Sequence, residues 1–343
     1  MENKRKYVKN AKTDILIMPN KFLQVIFLLT SFISSCNINV TGVKNDDQIE
    51  DSLRNEIYKI GEKVYADLLK NNMEYALSIS SPKYEESFAQ MNEALQNMQV
   101  TSPGEIEKIA EFLLSTDQPG KIQKVSSIFE GEKFYYLIQP EGEMTYAYLF
   151  AIPNNTANGK NLISLVLNKK GDEWELIRMN IGSLLYDGKT AIDIYDTANK
   201  LYQKGQIIPA ITYSQLALTL MNPSNGSFIY DKQDEITEFV RSIESELPEY
   251  YAFPFEVSEL TSLPQMAGYK TQVVKGIIYP EVSYYSNIDI GSKTAINDEN
   301  LSVHKIIESI YPGISTISDS IFYVVGNSSD PKNPIAIHRA SKH

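Results

Sequence analysis

Leu162-Ile163-Ser164-Leu165-Val166-Leu167 and Lys170-Gly171-Asp172-Glu173-Trp174-Glu175-Leu176-Ile177 are adjacent segments near the middle of this 343-residue sequence. Both are of strand length and rich in residues that favour β-structure, and Lys170-Gly171 is typical of the tight turn between two strands. The pattern predicts a β-hairpin.

Further runs of strand length precede this hairpin and extend it into a sheet. We predict strands at Lys121–Phe129, Phe134–Ile138, Met144–Ile152, Asn161–Asn168 and Glu173–Ile181. The turns between them are Glu130-Gly131, Glu141-Gly142, Asn158-Gly159 and Lys170-Gly171. Because these connections are short, the sheet is predicted to be an antiparallel meander.

Helical patterns precede the sheet. The first helix begins near Asp47 and is marked by apolar residues at steps of three and four: Leu53, Ile57, Ile60, Val64 and Leu68. A second helix is predicted after Pro82, with Phe88, Met91, Leu95 and Met98 on one face, and a third from Pro103 to about Leu114. Helices followed by an antiparallel sheet indicate an α+β domain over residues 48–183, with Trp174 packed against the first helix.

Residues 48–183 resemble the nuclear-transport-factor-two-like superfamily, in which helices pack into a curved antiparallel sheet to form a cone. The resemblance rests on the order of helices and strands. It also rests on the closing hairpin, whose Gly171 turn and Trp174 strand look like the end of many bacterial lipoprotein members. It implies a cone-like domain, and enzymes with this fold usually place a His or Asp inside the cone as a general base.

Residues 188–246 return to a helical pattern. Two helices over residues 190–221 carry small residues that permit close approach and resemble a tetratricopeptide hairpin: Ala198, Gly205, Ala210 and Ala217. The sequence departs from that repeat at Ser214, where a large aromatic residue is expected, and one copy is too few for a solenoid, which needs about three. A lone helix pair packed against the preceding domain is the preferred interpretation, and a partner-binding surface is the alternative.

A further helix is predicted from Glu235 to about Ser245, before Pro248, and a small ββαββ module over residues 247–343 follows it. In this module we predict strands at Thr271–Tyr279 and Val282–Ile290 on either side of Pro280, a helix at Asp298–Tyr311, and strands at Ser320–Val325 and Pro334–His338. The complete fold class is therefore α+β, with a cone-like domain, a helical hairpin and a small α/β module.

The N-terminus has the pattern of an export signal. Six basic residues between Lys4 and Lys21 precede an apolar run of about a dozen residues, too short for a bilayer core that needs about 20. Ile33-Ser34-Ser35-Cys36 follows and resembles the lipobox of bacterial lipoproteins, which implies removal of residues 1–35 and lipidation of Cys36. Met18 is an alternative start, residues 36–47 are a predicted tether, and the alternative for Cys36 is a buried, inert thiol.

Charge restricts the partners of the chain. There are 32 Lys and Arg residues against 43 Asp and Glu residues, and removal of residues 1–35 shifts the formal charge from -11 to -15. An acidic protein is a poor nucleic-acid partner, because phosphates need a basic face. Acyl chains rather than net charge are expected to hold the protein at a membrane of the bacterial cell envelope, facing the periplasm or the exterior.

Few residues suit catalysis. One Cys excludes an intramolecular disulfide and the common zinc spacings, residues 37–303 contain no His, and no phosphate-binding loop or cofactor motif is present. His304, His338 and His343 are more typical of structural positions than of metal ligands. The enzymatic alternative, a hydrolase or lyase, would use carboxylates in the cone such as Asp67, Glu74 or Glu143.

The aromatic segment 250–255 is the strongest candidate for a contact surface, because it lies outside regular periodic elements. Its aromatic residues are Tyr250, Tyr251, Phe253 and Phe255. They suit either contact with a partner or packing between domains. The sequence therefore favours a non-catalytic envelope lipoprotein that binds a protein or glycan.

Overall fold

The computed structural model describes residues 42–81, 106–117, 120–142, 144–153, 160–274, 277–327 and 334–340. The predicted signal segment, Cys36 and the helix predicted after Pro82 lie outside these residues. The described residues confirm the α+β class. Among them, no helix combines the length and the apolar character needed to cross a bilayer.

The helices and strands are numbered here along the chain. The six α-helices within the described residues are α1 (Asp51–Leu68), α2 (Glu74–Ser78), α3 (Ala191–Gln203), α4 (Ile207–Met221), α5 (Gln233–Tyr250) and α6 (Lys293–Ile310). The strands are β1 (Val43–Asn45), β2 (Ile106–Ser115), β3 (Gln123–Phe129), β4 (Glu132–Ile138), β5 (Thr145–Pro153), β6 (Asn161–Lys170), β7 (Glu173–Ser183), β8 (Phe228–Tyr230), β9 (Phe255–Glu256), β10 (Gln265–Val274), β11 (Ile277–Ser286), β12 (Ser320–Asn327) and β13 (Ile335–Ala340).

The first sheet has the order β1-β2-β5-β6-β7, and all of its neighbouring strands are antiparallel. The predicted hairpin is confirmed as β6 and β7, with Gly171 in the left-handed conformation at its turn. The predicted first helix is confirmed as α1, which buries Ile57, Val64 and Leu68. Trp174 is buried in the same apolar cluster as these three residues, as predicted.

The third predicted helix is wrong, because Ile106–Ser115 is strand β2. This strand lies inside the sheet and is buried on both faces. Phe112 and Leu114 belong to one apolar cluster and Leu113 to the other. A strand buried on both faces has a nearly continuous apolar run, which imitates the spacing of a helix.

The single meander is also wrong. The β3–β4 hairpin leaves the first sheet and forms a second sheet with β8, so that β2 pairs directly with β5. Aromatic packing joins the unpredicted strand β8 to this hairpin, since the rings of Phe134 and Phe228 stack at 4.1 Å. The predicted tether also contributes to the fold, because Val43–Asn45 forms strand β1 at the edge of the first sheet.

Helix α4 lies in the interior. Eleven of its fifteen residues are buried, and Thr219 is the only exposed residue in it. Such a helix has no solvent face to present. Its Thr212 hydroxyl contacts the Tyr269 hydroxyl of β10, and Pro223 just after it lies against Gly182 of β7. The helix therefore packs between the first sheet and the C-terminal sheet.

Helix α5 continues through Pro248 to Tyr250, so the end predicted before Pro248 is wrong. Pro248 cannot donate to the carbonyl of Glu244, but Glu244 is an exposed residue near the end of the helix, where water can satisfy a carbonyl that has no helical partner. The amide of Tyr251 then donates to the carbonyl of Leu247 at 2.9 Å and closes the helix.

The C-terminal sheet has the order β13-β12-β11-β10-β9, with β11 and β12 parallel and α6 as the connection between them. The predicted strand break at Pro280 is wrong. Pro280 lies inside β11 and is paired with Thr271 of β10, and the pairing of β11 with β12 begins at the next residue, Glu281, so the missing amide of the proline interrupts neither ladder. Helix α6 ends before Gly313, which adopts a positive φ of 83°.

Two apolar clusters fill the two faces of the first sheet. The cluster under α1 is mostly aliphatic. The other cluster is rich in aromatic side chains and runs from the first sheet through α3, α4 and α5 to the C-terminal sheet. One continuous core therefore joins the N-terminal and C-terminal parts of the described chain.

Candidate functional site

The aromatic segment connects α5 to the C-terminal sheet. Tyr250 is the last residue of α5, and Phe255 begins the short strand β9, which pairs with Gln265 and Met266 of β10. Both ends of the segment are fixed by backbone hydrogen bonds. The helix and the sheet thus position its rings.

Three of the four predicted residues form a ring stack. The ring of Tyr251 lies 6.0 Å from Phe253 and 6.3 Å from Phe255, and the latter two are 5.6 Å apart. Tyr251 also meets the buried ring of Tyr311 edge to face at 5.1 Å. These three rings are half-buried against the central core, so they hold the end of α5 to the end of α6.

Tyr250 differs from the other three residues. Its side chain is 53% exposed and lies at the rim of an open groove of about 450 Å³. Tyr251 and Phe255 line the groove from the stack, and Ile310 lines it from α6. The segment therefore combines both roles that the sequence left open: a packed base and an exposed rim.

The groove is acidic and aromatic. Glu256 and Glu259 are exposed on its wall, Ser258 and Ser309 add hydroxyls, and no Lys or Arg is among the described residues that line it. Burial raises the pKa of Tyr251, so its hydroxyl stays neutral at physiological pH. Such a surface can stack a ring on a sugar or aliphatic chain, and its carboxylates can accept hydrogen bonds from hydroxyl or ammonium groups.

The helical pair does not provide an equivalent surface. Because α4 is interior, only α3 presents an outer face from residues 190–221. The N-terminus of α3 is capped by its own neighbouring residue, since the Thr190 hydroxyl accepts a hydrogen bond from the Asp193 amide at 3.2 Å. The burial of α4 therefore agrees with the interpretation that the helix pair packs against the rest of the fold.

A second cavity of about 460 Å³ lies between α1 and the start of β2. Tyr65 of α1, Lys108 of β2 and Leu149 of β5 are among its lining residues. Glu111 lies behind Lys108 with a side chain that is 0% exposed, and its Oε2 accepts from Lys108 Nζ at 2.9 Å. Lys108 also pairs with Asp46 Oδ1 at 3.2 Å.

The polar groups of this cleft are incompletely bonded. Glu111 Oε1 and the Tyr65 hydroxyl are buried and have no hydrogen-bond partner among the described residues. Burial raises the pKa of Tyr65, and the neighbouring charge of Glu111 raises it further. Burial lowers the pKa of Lys108, but its bonds to Glu111 and Asp46 outweigh this and raise it overall. The cleft therefore holds a charged pair beside a neutral phenol.

Of the carboxylates predicted from the sequence, the two described ones, Asp67 and Glu74, are not among the residues that line this cleft. Asp67 Oδ2 accepts the amide of Tyr75 at 3.1 Å and fixes the turn after α1. Glu74 is exposed at the start of α2, and Glu143 lies outside the described residues. Glu111 was missed because a helix over 103–114 would place it on the solvent face; its signal was a lone charge inside an apolar run.

His304, the histidine whose side chain the structure describes, does not form a further candidate site. His304 is buried in α6, and its Nδ1 lies 2.8 Å from the hydroxyl of Tyr323. The side chain of His338 and all of His343 lie outside the described residues. Within the described ranges, no group of three or more His, Cys, Asp or Glu side chains is arranged to hold a metal ion.

No protein-family model matches this chain, and no curated protein or solved structure is significantly similar to it.

Proposed function

We propose that this protein is a non-catalytic bacterial lipoprotein that is anchored through Cys36 and binds an envelope protein or glycan in the aromatic groove. The signal pattern and the Ile33-Ser34-Ser35-Cys36 sequence support the anchor, which places the folded part on the periplasmic or outer side of a membrane. The cone-like shape of residues 48–183, with its likeness to nuclear-transport-factor-two-like proteins, belongs to the same proposal.

The exposed ring of Tyr250 above the packed rings of Tyr251 and Phe255 is the observation that carries the binding function. An exposed aromatic side chain at the rim of a groove provides contact area at small cost in conformational entropy. Its base is already ordered, so little further ordering is needed on binding. Glu256 and Glu259 favour ligands with hydroxyl or ammonium groups over anionic ones.

Capture experiments with the full lipidated chain test this function. Wild type and Tyr250→Ala are compared for recovery of partners from envelope extract and for co-sedimentation with purified cell-wall glycan. We expect Tyr250→Ala to keep its melting temperature and lose the partner. Leu301→Ala, an exposed residue on α6, is the matched control and should bind as wild type does. Equal binding by all three proteins would exclude the groove.

The cleft beneath α1 supports an enzyme as the second candidate. A fully buried carboxylate beside a buried phenol, each with an oxygen that no described residue hydrogen-bonds, is an arrangement found at catalytic sites. Glu111 would act as a general acid or base, Lys108 would hold its charge, and Tyr65 would donate a proton or hydrogen bond. Screening the protein with hydrolase and lyase substrates tests this candidate: turnover that is abolished by Glu111→Gln would establish it.

A further inference from the structure

The end of the molecule where the described chain begins carries exposed apolar side chains. Gly42 lies beside Gln123 at the start of β3, since a Cβ on this glycine would stand 3.4 Å from Gln123 Nε2. The residue before Gln123 is Ile122, which is 52% exposed. The chain therefore enters the fold next to an apolar side chain that the core does not use.

A second exposed apolar side chain lies on the adjoining loop. The loop before β3 and the loop before β5 are joined by two hydrogen bonds, from the Thr116 amide to the Met144 carbonyl at 3.2 Å and from the Gly120 amide to the Pro140 carbonyl at 2.9 Å. Met144 is 41% exposed. Ile122 and Met144 thus lie on neighbouring loops at one end of the molecule.

Lysine residues accompany this apolar pair. Lys121 and Lys124 flank Ile122, and both are exposed. Neither forms an ion pair with another residue in the described ranges, whereas Glu141 of the adjoining loop is paired with Arg178 at 2.7 Å. Asp117 is an exposed acidic residue here. The two lysines give the stretch 121–124 a formal charge of +2, in a chain whose formal charge is -11.

The number of residues between Cys36 and Gly42 limits how far a lipid anchor can be from this end. Six residue steps separate Cys36 from Gly42, so the connection spans at most about 20 Å. A folded chain of about 300 residues has a radius of gyration of about 19 Å. A lipid on Cys36 must therefore keep the Gly42 end of the protein close to the bilayer surface.

We propose that Ile122, Met144, Lys121 and Lys124 form a membrane-contact surface that rests on the headgroups of the anchoring bilayer. This inference rests on the proposed lipidation of Cys36. Apolar side chains flanked by lysines match the interface of a membrane that contains anionic lipids. Acyl chains would supply the anchor, and this surface would orient the protein so that a defined side faces away from the membrane.

Cysteine protection tests the surface directly, because Cys36 is the only Cys in the chain and its thiol is consumed by lipidation. Ile122→Cys and Met144→Cys are introduced separately into the full chain and labelled with a bulky, membrane-impermeant maleimide in proteoliposomes and again in detergent. We expect labelling in proteoliposomes to be several-fold slower than in detergent for both variants.

Ile128→Cys is the matched control. Ile128 is 73% exposed and follows Ile122 along β3 by six residues, or about 20 Å. It should be labelled at the same rate in proteoliposomes and detergent. Equal rates for Ile122→Cys in the two media, or equal protection of Ile128→Cys, would overturn the proposal. Protection of Ile122→Cys that persists in detergent would also overturn it, since a protein partner would then cover the site.

A fatty-acid label on the same samples separates the two proposals. If the protein carries the fatty-acid label and is membrane-bound but Ile122→Cys is not protected, the proposed contact surface is wrong and the proposed anchor is supported. If the protein does not carry the fatty-acid label, the proposed anchor is wrong, and the contact surface that depends on it is wrong as well.

Discussion

The two cavities described here are nearly equal in volume but are built from opposite kinds of side chain. The cleft beneath α1, about 460 Å³, has a fully buried carboxylate and an unbonded phenol in or behind its wall. The groove beside Tyr250, about 450 Å³, has stacked rings at its base and solvent-exposed carboxylates on its wall. Buried polar groups without partners cost stability, whereas an exposed ring costs little. The first cavity thus suits chemistry and the second suits binding.

Trp174→Ala should have the largest effect, because this residue is buried in the core that supports the cleft beneath α1. Truncation of a buried Trp costs about 3–5 kcal/mol of unfolding free energy. Denaturant melts of the protein measure it. A loss within about 0.5 kcal/mol would show that the α1 side of the first sheet is not the tight core described here.

Tyr251→Ala should have an intermediate effect, because this ring belongs to the base of the groove. It is half-buried and makes three ring contacts, so we expect a loss of about 1–3 kcal/mol, less than for a fully buried aromatic residue. The same melts with Tyr250→Ala provide the matched comparison within the groove. If the two variants lose equal stability, the division into a packed base and a free rim is wrong.

Tyr65→Phe should change the response to alkaline pH. The pKa of Tyr65 is higher in the folded than in the unfolded protein, so its contribution to stability is fully present below about pH 10 and lost as the pH rises above it. Tyr65→Phe should therefore lose less stability than wild type above about pH 10. At neutral pH it should be unchanged or more stable by up to about 1 kcal/mol, because an unbonded hydroxyl is removed.

Urea melts at a series of alkaline pH values measure this difference. Phe lacks the ionisable group but keeps the ring, so packing is preserved. An identical pH profile for both proteins would mean that the Tyr65 hydroxyl is not buried in the cleft.

The sequence identified local structure best where one periodicity was clear. Helix α1 and the hairpin of β6 and β7 were predicted correctly, because their apolar spacing fits a single kind of element. Strand β2 was mistaken for a helix, because burial on both faces removes the alternation that marks a strand. The sequence did not predict that the β3–β4 hairpin leaves the first sheet. This hairpin pairs with β8, which is distant in sequence, and such a long-range pairing cannot be inferred from local patterns.

The two candidate sites also differ in how much of each could be identified from the sequence. Tyr250 and its neighbours were proposed from a run of aromatic residues that is visible in the sequence, although Tyr250 ends α5 and Phe255 begins β9. Glu111 was not, since its significance comes from burial and from pairing with Lys108 in a strand that was misassigned. Sequence can identify unusual composition, but it does not show which charge the fold encloses.

Partner recovery by Tyr250→Ala tests the central claim most directly. The full chain, lipidated and in membranes, is captured with bound partners and compared with wild type and Leu301→Ala, after melts have shown that each variant folds. We expect Tyr250→Ala to change the free energy of unfolding by no more than about 0.5 kcal/mol, as for other exposed residues, and to lose the partner. Full recovery of the partner by folded Tyr250→Ala would contradict it.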